Sequence, residues 1–231
     1  VAYADTCQNT GGCLPAASRY EPWMKPWFSF IDVVVPPSCV LCGELVSVAT
    51  DPLCVRCTPS LPASVSPVQC LKPILNCWSL GPYAGFLGTL IRSAKYRRSM
   101  RAADQLGAWL GARLSGGVAV DVVVHVPTPW FRKAYRGFDP AERIGRGVSA
   151  ALGVPHCSLL RRLGTSRQVG KTAAERRELS AHSFLLRGAV CPERVLLVDD
   201  VVTTGATFRA AAVRLSGHGA ACIYAAAVAS S

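Results

Sequence analysis

Beyond residue 67 the apolar positions fall into alternating helical and strand-like runs. Phe86, Leu90, Ile91 and Ala94, then Leu106, Leu110 and Leu114, recur at three- and four-residue spacing. This predicts two helices, the second capped by Ser99. Residues 121–126, DVVVHV, predict a buried strand. Asp139, Pro140 and Glu142 then supply a cap oxygen, a proline at the first helical position and a third-position carboxylate. Ile144, Val148 and Leu152 share the inner face of that helix, and Gly153 stops it. Residues 161–180 lack core-facing periodicity and predict a mobile basic loop. VLLV at 195–198 is the continuous run of a parallel strand covered on both faces. A helix from about Ala206 to Leu215 and a strand in CIYAAAVA repeat the unit, so the pattern predicts an open α/β sheet. Residues 36–67 differ, being short, proline-rich and without a core-forming period.

Composition narrows the class. The chain has 231 residues, 50% hydrophobic and 17% charged, enough apolar surface for one globular domain with a small appendage and too much for a disordered chain. The best candidate for a membrane span, VAVDVVVHVP, is broken by Asp121 and His125. The first ten residues show neither the basic nor the apolar region of a secretory signal, which leads to the expectation of a cytoplasmic protein. Net charge is +11, and residues 92–177 hold 17 of the 25 Lys and Arg against five of the 14 acids. That concentration points to a polyanionic ligand, a polyphosphate metabolite or nucleic acid, with a merely solvated arginine-rich face as the alternative.

Four of the eleven cysteines form two C-x-x-C pairs, Cys39 with Cys42 and Cys54 with Cys57. Each such turn aims two thiolates at one point, the arrangement a tetrahedral Zn(II) site needs, and residues 36–67 have little else to build a core on. A redox-active C-x-x-C, or coincidence in a cysteine-rich chain, would account for the same letters. The other seven, Cys7, Cys13, Cys70, Cys77, Cys157, Cys191 and Cys222, lack ligand spacing and read as small buried residues.

The most informative stretch is VLLVDDVVTTGAT, residues 195–207. A buried strand ends at Asp199 and Asp200, and Val201 and Val202 lead into Thr203, Thr204, Gly205, Ala206 and Thr207 at a helix start. Small residues there let backbone N–H groups approach a phosphate, hydroxyls add donors, and carboxylates at a strand's C-terminal edge can accept from a ribose diol. The alternative is a strand ending in a polar turn. By contrast GTSRQVGKT, residues 164–172, is not a Walker A loop, because five residues rather than four separate Gly164 from Gly170 and no buried strand precedes it.

The 195–207 segment resembles the phosphoribosyl pyrophosphate (PRPP) signature of type I phosphoribosyltransferases. Taken in order, FSFIDVVVP and the four cysteines, Lys95 with Tyr96, VHVPTPWFRKAYRGFDPAE, a loop with Arg167, Gln168, Glu175 and Arg176, and this signature resemble the ComF family of competence-associated phosphoribosyltransferase-like proteins over residues 28–229. Two departures stand out. Asp139 and Pro140 replace the usual Asn-Gln after the RGF triplet, and an Asn common shortly after the loop arginines is absent from ERREL. As a cap, Asp serves about as well as Asn, so the first departure is expected to leave the helix start intact.

The resemblance implies a type I phosphoribosyltransferase-like fold: an open, mainly parallel sheet flanked by helices, with a small N-terminal four-cysteine zinc knuckle. Its divisions would be an extension over 1–35, the knuckle over 36–67 and the phosphoribosyltransferase-like domain over 68–231. It implies that Asp199 and Asp200 hold the ribose hydroxyls and that residues 203–207 cradle the 5′-phosphate, with Val201 and Val202 counted in the same PRPP-binding segment. The segment from Val126 and Pro127 through Arg136 and Gly137 would lie near pyrophosphate, the loop around Arg167, Gln168 and Arg176 would close over it, Lys95 would be a further PRPP-binding residue, and Mg(II) would accompany PRPP. Lys95 could equally be an ordinary lysine on a helix surface, and the loop ordinary surface charge. Two functions fit: a Mg-dependent phosphoribosyltransferase of unknown acceptor, or a non-catalytic module of the same fold that binds single-stranded DNA or partner proteins in DNA uptake.

Overall fold

The computed structural model describes residues 38–46, 53–58, 62–96, 99–163, 183–188 and 191–231. The FSFIDVVVP run, the GTSRQVGKT stretch and the loop carrying Arg167, Gln168, Glu175 and Arg176 lie outside the described residues.

In chain order the elements are β1 (Ser66–Val68), β2 (Ile74–Pro82), α1 (Gly85–Tyr96), α2 (Met100–Leu114), β3 (Val122–His125), α3 (Trp130–Arg136) and α4 (Pro140–Leu152). They are followed by β4 (His156–Cys157), β5 (Leu160–Arg162), β6 (Phe184–Leu186), β7 (Arg194–Val202), α5 (Ala206–Ser216) and β8 (Cys222–Ser230). Among the described residues, six strands form one sheet in the order β1-β2-β8-β7-β3-β4. β1 is antiparallel to β2, and every other neighbour is parallel. β5 and β6 pair as a separate antiparallel hairpin. This is the open, mainly parallel sheet flanked by helices that the resemblance implies.

The pleat of β7 explains why its sequence is apolar throughout. Leu196 and Val198 join the core under α1, α2 and α4, whereas Val195 and Leu197 join the core under α5 and the β5–β6 hairpin. Both faces are covered, as a parallel strand requires. β3 leads through α4 to β4 on one side, while β7 leads through α5 to β8 on the other. The chain therefore diverges between β3 and β7, which opens a crevice at their C-terminal ends, the place where α/β sheets bind ligands.

The predicted caps hold: the Ser99 side chain accepts from the Ala102 amide, and that of Asp139 from the Ala141 amide. α2 and α4 cross so closely that a Cβ on Gly107 would stand 2.4 Å from the Ile144 carbonyl oxygen, and one on Gly147 2.8 Å from the Ala108 nitrogen. This contact fixes where α4 begins and so where its N-terminus meets the crevice.

Two expectations need correction. Residues 161–180 are not loop throughout, because Arg161 and Arg162 pair with Leu185 and Phe184 in the β5–β6 hairpin. Their strand partners lie more than twenty residues along the chain, beyond any local pattern. The strand at 195–198 also does not stop at the carboxylates, since β7 continues to Val202 because β8 pairs with it up to Ser230. Among the other cysteines, Cys77 and Cys191 are buried while Cys70 and Cys222 are half-buried. No helix among the described residues is long and apolar enough to cross a membrane.

Candidate functional site

Because Asp199 and Asp200 lie inside β7, the alternation of the strand gives them different surroundings. Asp200 turns to the α1 face, where Lys95 Nζ, in the last turn of that helix, lies 2.8 Å from its Oδ1. Both groups are mostly buried, which removes Lys95 from the class of ordinary surface lysines. Asp199 accepts a 2.8 Å hydrogen bond from the Asp200 amide. Burial, then the neighbouring Asp200 charge, pushes the Asp199 carboxyl well above the usual carboxylate range. The adjacent carboxyls thus differ in chemistry: Asp199 holds a proton more readily than an ordinary carboxyl, and Asp200 is ion-paired.

After β7, Thr203 and Thr204 are exposed, and Gly205, at φ 71°, turns the chain into α5. Only a residue without Cβ adopts that conformation readily. The Thr204 hydroxyl accepts weakly, at 3.4 Å, from the Ala206 amide. Exposed hydroxyls and a helix N-terminus beside two carboxylates form an anion-receptive loop. Val201 and Val202 stand apart within residues 201–207, since Val202 belongs to one core cluster and Val201 packs against the other.

Across the crevice, β3 ends at His125 and the chain continues through Val126, Pro127 and Thr128. Asp139, 3% exposed, ties this loop to the start of α4. Its Oδ2 accepts from the Thr128 amide at 2.9 Å, and its Oδ1 from the Thr128 hydroxyl at 2.8 Å and the Ala141 amide at 3.1 Å. Arg136 is buried, with its guanidinium 5.7 Å from the centre of the Tyr96 ring, so it joins α3 to the end of α1. Gly137 closes α3 in the left-handed region. Here the structure brings Pro127 and Asp139 to a shared cavity, while Lys95 and Asp200 meet on the α1 side of β7.

That cavity, about 420 Å³, was not anticipated as a unit. It is lined by His125, Pro127, Thr128, Lys133 and Glu142 on one side and by Arg161, Arg162 and Arg187 of the hairpin on another. Burial lowers the pKa of Arg162, an effect opposed by the nearby Asp199 charge, and its Nε is buried without a partner. Glu142 accepts from Lys133 and Arg146. Burial alone would raise its pKa, but these cations bring it down to about 2. His125 and His156 hydrogen-bond at 3.0 Å. The arginines and histidines escaped the sequence reading because they share no motif; the only available signal was Arg161-Arg162 bordering the basic loop.

The Cys39, Cys42, Cys54 and Cys57 thiols converge, with all sulfurs within 4.8 Å of one another and Cys42 and Cys54 Sγ 3.6 Å apart. A tetrahedral ion with bonds of about 2.3 Å would place sulfurs about 3.8 Å apart, so the four could hold a zinc ion. Burial raises the Cys39 thiol, but amides of Cys42, Cys54 and Leu41 overcome it and lower the pKa to about 6. Cys57 is pushed to about 12 by burial and the neighbouring thiols. Cys39, Val46, Leu53 and Cys54 share the core cluster of α1 and α2. Arg113 of α2 also donates to the Pro62 carbonyl.

No family model matches the chain. Among curated proteins it is 30% identical over 202 residues to DNA utilization protein YhgH of Salmonella typhi, covering 80% of this chain and 86% of that protein. Competence protein F of Haemophilus influenzae is 33% identical over 92 residues, 38% of this chain and 40% of its own. A solved structure of the allosteric regulatory enzyme of purine biosynthesis matches at 25% identity and a TM-score of 0.40, covering 55% of this chain and 25% of that one. With a relative of that identity spanning most of both chains, and with the four-cysteine cluster, the Lys95–Asp200 pair and the 195–207 signature in the expected order, the chain belongs to the ComF family.

Proposed function

We propose that the chain binds PRPP with Mg(II) and acts as a phosphoribosyltransferase. The observation that carries this reading is the crevice between β3 and β7, where Asp199, at the head of the 199–207 segment, is near enough to act electrostatically on Arg162, and Arg162 lines a cavity with Arg161 and Arg187. Asp199 and Asp200 hold the ribose hydroxyls, the first with a raised affinity for a proton and the second beside Lys95. Thr203, Thr204 and the amides leading into α5 take the 5′-phosphate, and Pro127, Thr128 and the hairpin arginines lie toward pyrophosphate. Arg176 belongs to the loop outside the described residues and is proposed to close over the same end. Carboxylate and PRPP oxygens form a hard donor set that suits Mg(II), which supplies charge neutralisation of the leaving group when bound. In the reaction the bond from ribose C1 to a pyrophosphate oxygen breaks and a bond from an acceptor nitrogen forms, with that nitrogen's proton released. The cations stabilise the departing charge. Zn(II) in the cysteine cluster is structural.

Calorimetry with PRPP and Mg(II) tests this reading. Asp200→Asn is expected to weaken binding by about 1.5–3 kcal/mol, the scale of a charge-assisted hydrogen bond. Affinity unchanged in both Asp200→Asn and Thr204→Val would make the signature vestigial.

A second reading, binding of single-stranded DNA in DNA uptake, is favoured by one surface. Trp130, Phe131 and Tyr135 of α3 are 73%, 51% and 71% exposed, and Tyr96 is 67% exposed. Arg132 and Arg136 lie over the Phe131 and Tyr96 rings, and Lys133 stands between them in sequence. Exposed aromatics interleaved with cations form a stacking platform for bases. The names of the relatives, DNA utilization and competence proteins, agree with it. A steep fall of oligonucleotide affinity with salt, abolished by Trp130→Ala with Tyr135→Ala, is the expected result.

A further inference from the structure

His125 and His156 serve no role in the reading above. Val123 pairs with His156, and His125 lies two residues further along β3, so the pleat puts both imidazoles on one face. Their rings stack with centroids 5.1 Å apart, and His125 Nδ1 lies 3.0 Å from His156 Nε2. The charged groups facing them are Asp139, Glu142 and Arg146 from the α4 segment and Lys133 from α3. Burial lowers the pKa of both histidines, and His156 falls to about 4, so the pair is neutral near pH 7.

A neutral pair has one proton in its shared hydrogen bond, which leaves two arrangements. If His125 donates through Nδ1, its Nε2 is a bare acceptor. If His156 donates through Nε2, His125 carries its own proton on Nε2 and becomes a donor. His125 lines the 420 Å³ cavity together with Arg161, Arg162 and Arg187. With Nδ1 committed to His156, Nε2 is the nitrogen left for a ligand there.

We propose that His125 donates a hydrogen bond to the anion received by this cavity, and that His156 is the positioning residue that selects the donating tautomer. The inference rests on the phosphoribosyltransferase reading for the identity of that anion, the pyrophosphate end of PRPP. Cations around a bare Nε2 favour the acceptor form, and an anion favours Nε2–H. Binding therefore moves the proton along the Nδ1···Nε2 bond while His125 Nε2 takes a proton from water in the cavity and His156 Nδ1 gives one up to water, so the pair takes up no net proton.

The chain has four histidines, few enough to resolve by imidazole ¹⁵N NMR on the intact protein titrated with inorganic pyrophosphate and Mg(II). The expected result is that His125 Nδ1 changes from the protonated to the bare signature while His156 Nε2 becomes protonated. His156→Phe is expected to weaken pyrophosphate binding roughly five- to tenfold, the worth of one net hydrogen bond. His156→Gln, whose amide can donate to Nδ1, is expected to restore it. Pyrophosphate binding with both histidine signatures unmoved, or His156→Gln as weak as His156→Phe, overturns the inference alone. No pyrophosphate binding by the wild-type chain overturns the PRPP reading and the inference together.

Discussion

At the scale of single residues, Asp139 shows how much a side chain's chemistry depends on partners that are distant in sequence. Its position as a helix cap is legible from Pro140 and Glu142, and by capping alone an Asn would serve as well. The structure adds the Thr128 amide and hydroxyl as further donors, so both carboxylate oxygens are occupied. An Asn side chain has a single acceptor oxygen, and either orientation of its amide leaves one backbone N–H without an acceptor. Asp139→Asn is accordingly expected to destabilise the fold by about 1–3 kcal/mol, checked by urea unfolding. Equivalence as helix caps therefore does not carry over to the hydrogen bonds with Thr128. Asp199 and Asp200 make the same point: their adjacency is read directly from the sequence, but only the pleat and the approach of Lys95 give one a raised affinity for a proton and make the other half of an ion pair.

At the scale of elements, local pattern was sufficient wherever one face of a helix or strand is buried. α1, α2, α4, α5, β3, β7 and β8 all follow from their periodicity, within the residue or two by which element ends vary, apart from the extension of β7. β2 did not, because Asn76 and Ser79 interrupt its apolar run; Ser79 is buried by bonding Ser230 across the sheet at 3.2 Å. α3 did not because its aromatics are exposed, so it presents no apolar stripe toward a core. The α2–α4 crossing is set by glycines whose role is invisible along a single helix. Gly147→Ala would gain about 1 kcal/mol in helix propensity, yet its methyl would press on α2 backbone. A net loss of about 1–3 kcal/mol in thermal or urea unfolding is expected from that overpacking.

For the molecule as a whole, acid and metal are the levers. His156 has a folded pKa of about 4 against about 6.5 unfolded, so between those values the unfolded chain binds the extra proton. Its contribution is fully present above pH 6.5 and is lost as pH falls toward 4, with His125 shifted in the same direction. The unfolding free energy from urea titrations across this window is expected to drop by an amount on the order of 3 kcal/mol from His156, and His156→Phe to flatten the dependence. Chelation of a metal-loaded chain is expected to speed amide exchange over residues 38–58 and in α1 as well, since the cysteine segment shares the core of that helix. Exchange confined to 38–58 would show that the segment is energetically separate from the sheet.

The sequence by itself determined the class of sheet, the caps, the four converging thiols and the 195–207 signature, because each depends on residues that are neighbours in the chain or follow a fixed period. The tertiary structure alone decided the rest. It placed Lys95 against Asp200, Thr128 against Asp139, His125 against His156, and the hairpin arginines over the crevice. Each of those pairings joins residues on different elements. Their proximity comes from strand order and helix crossing, which no local pattern encodes.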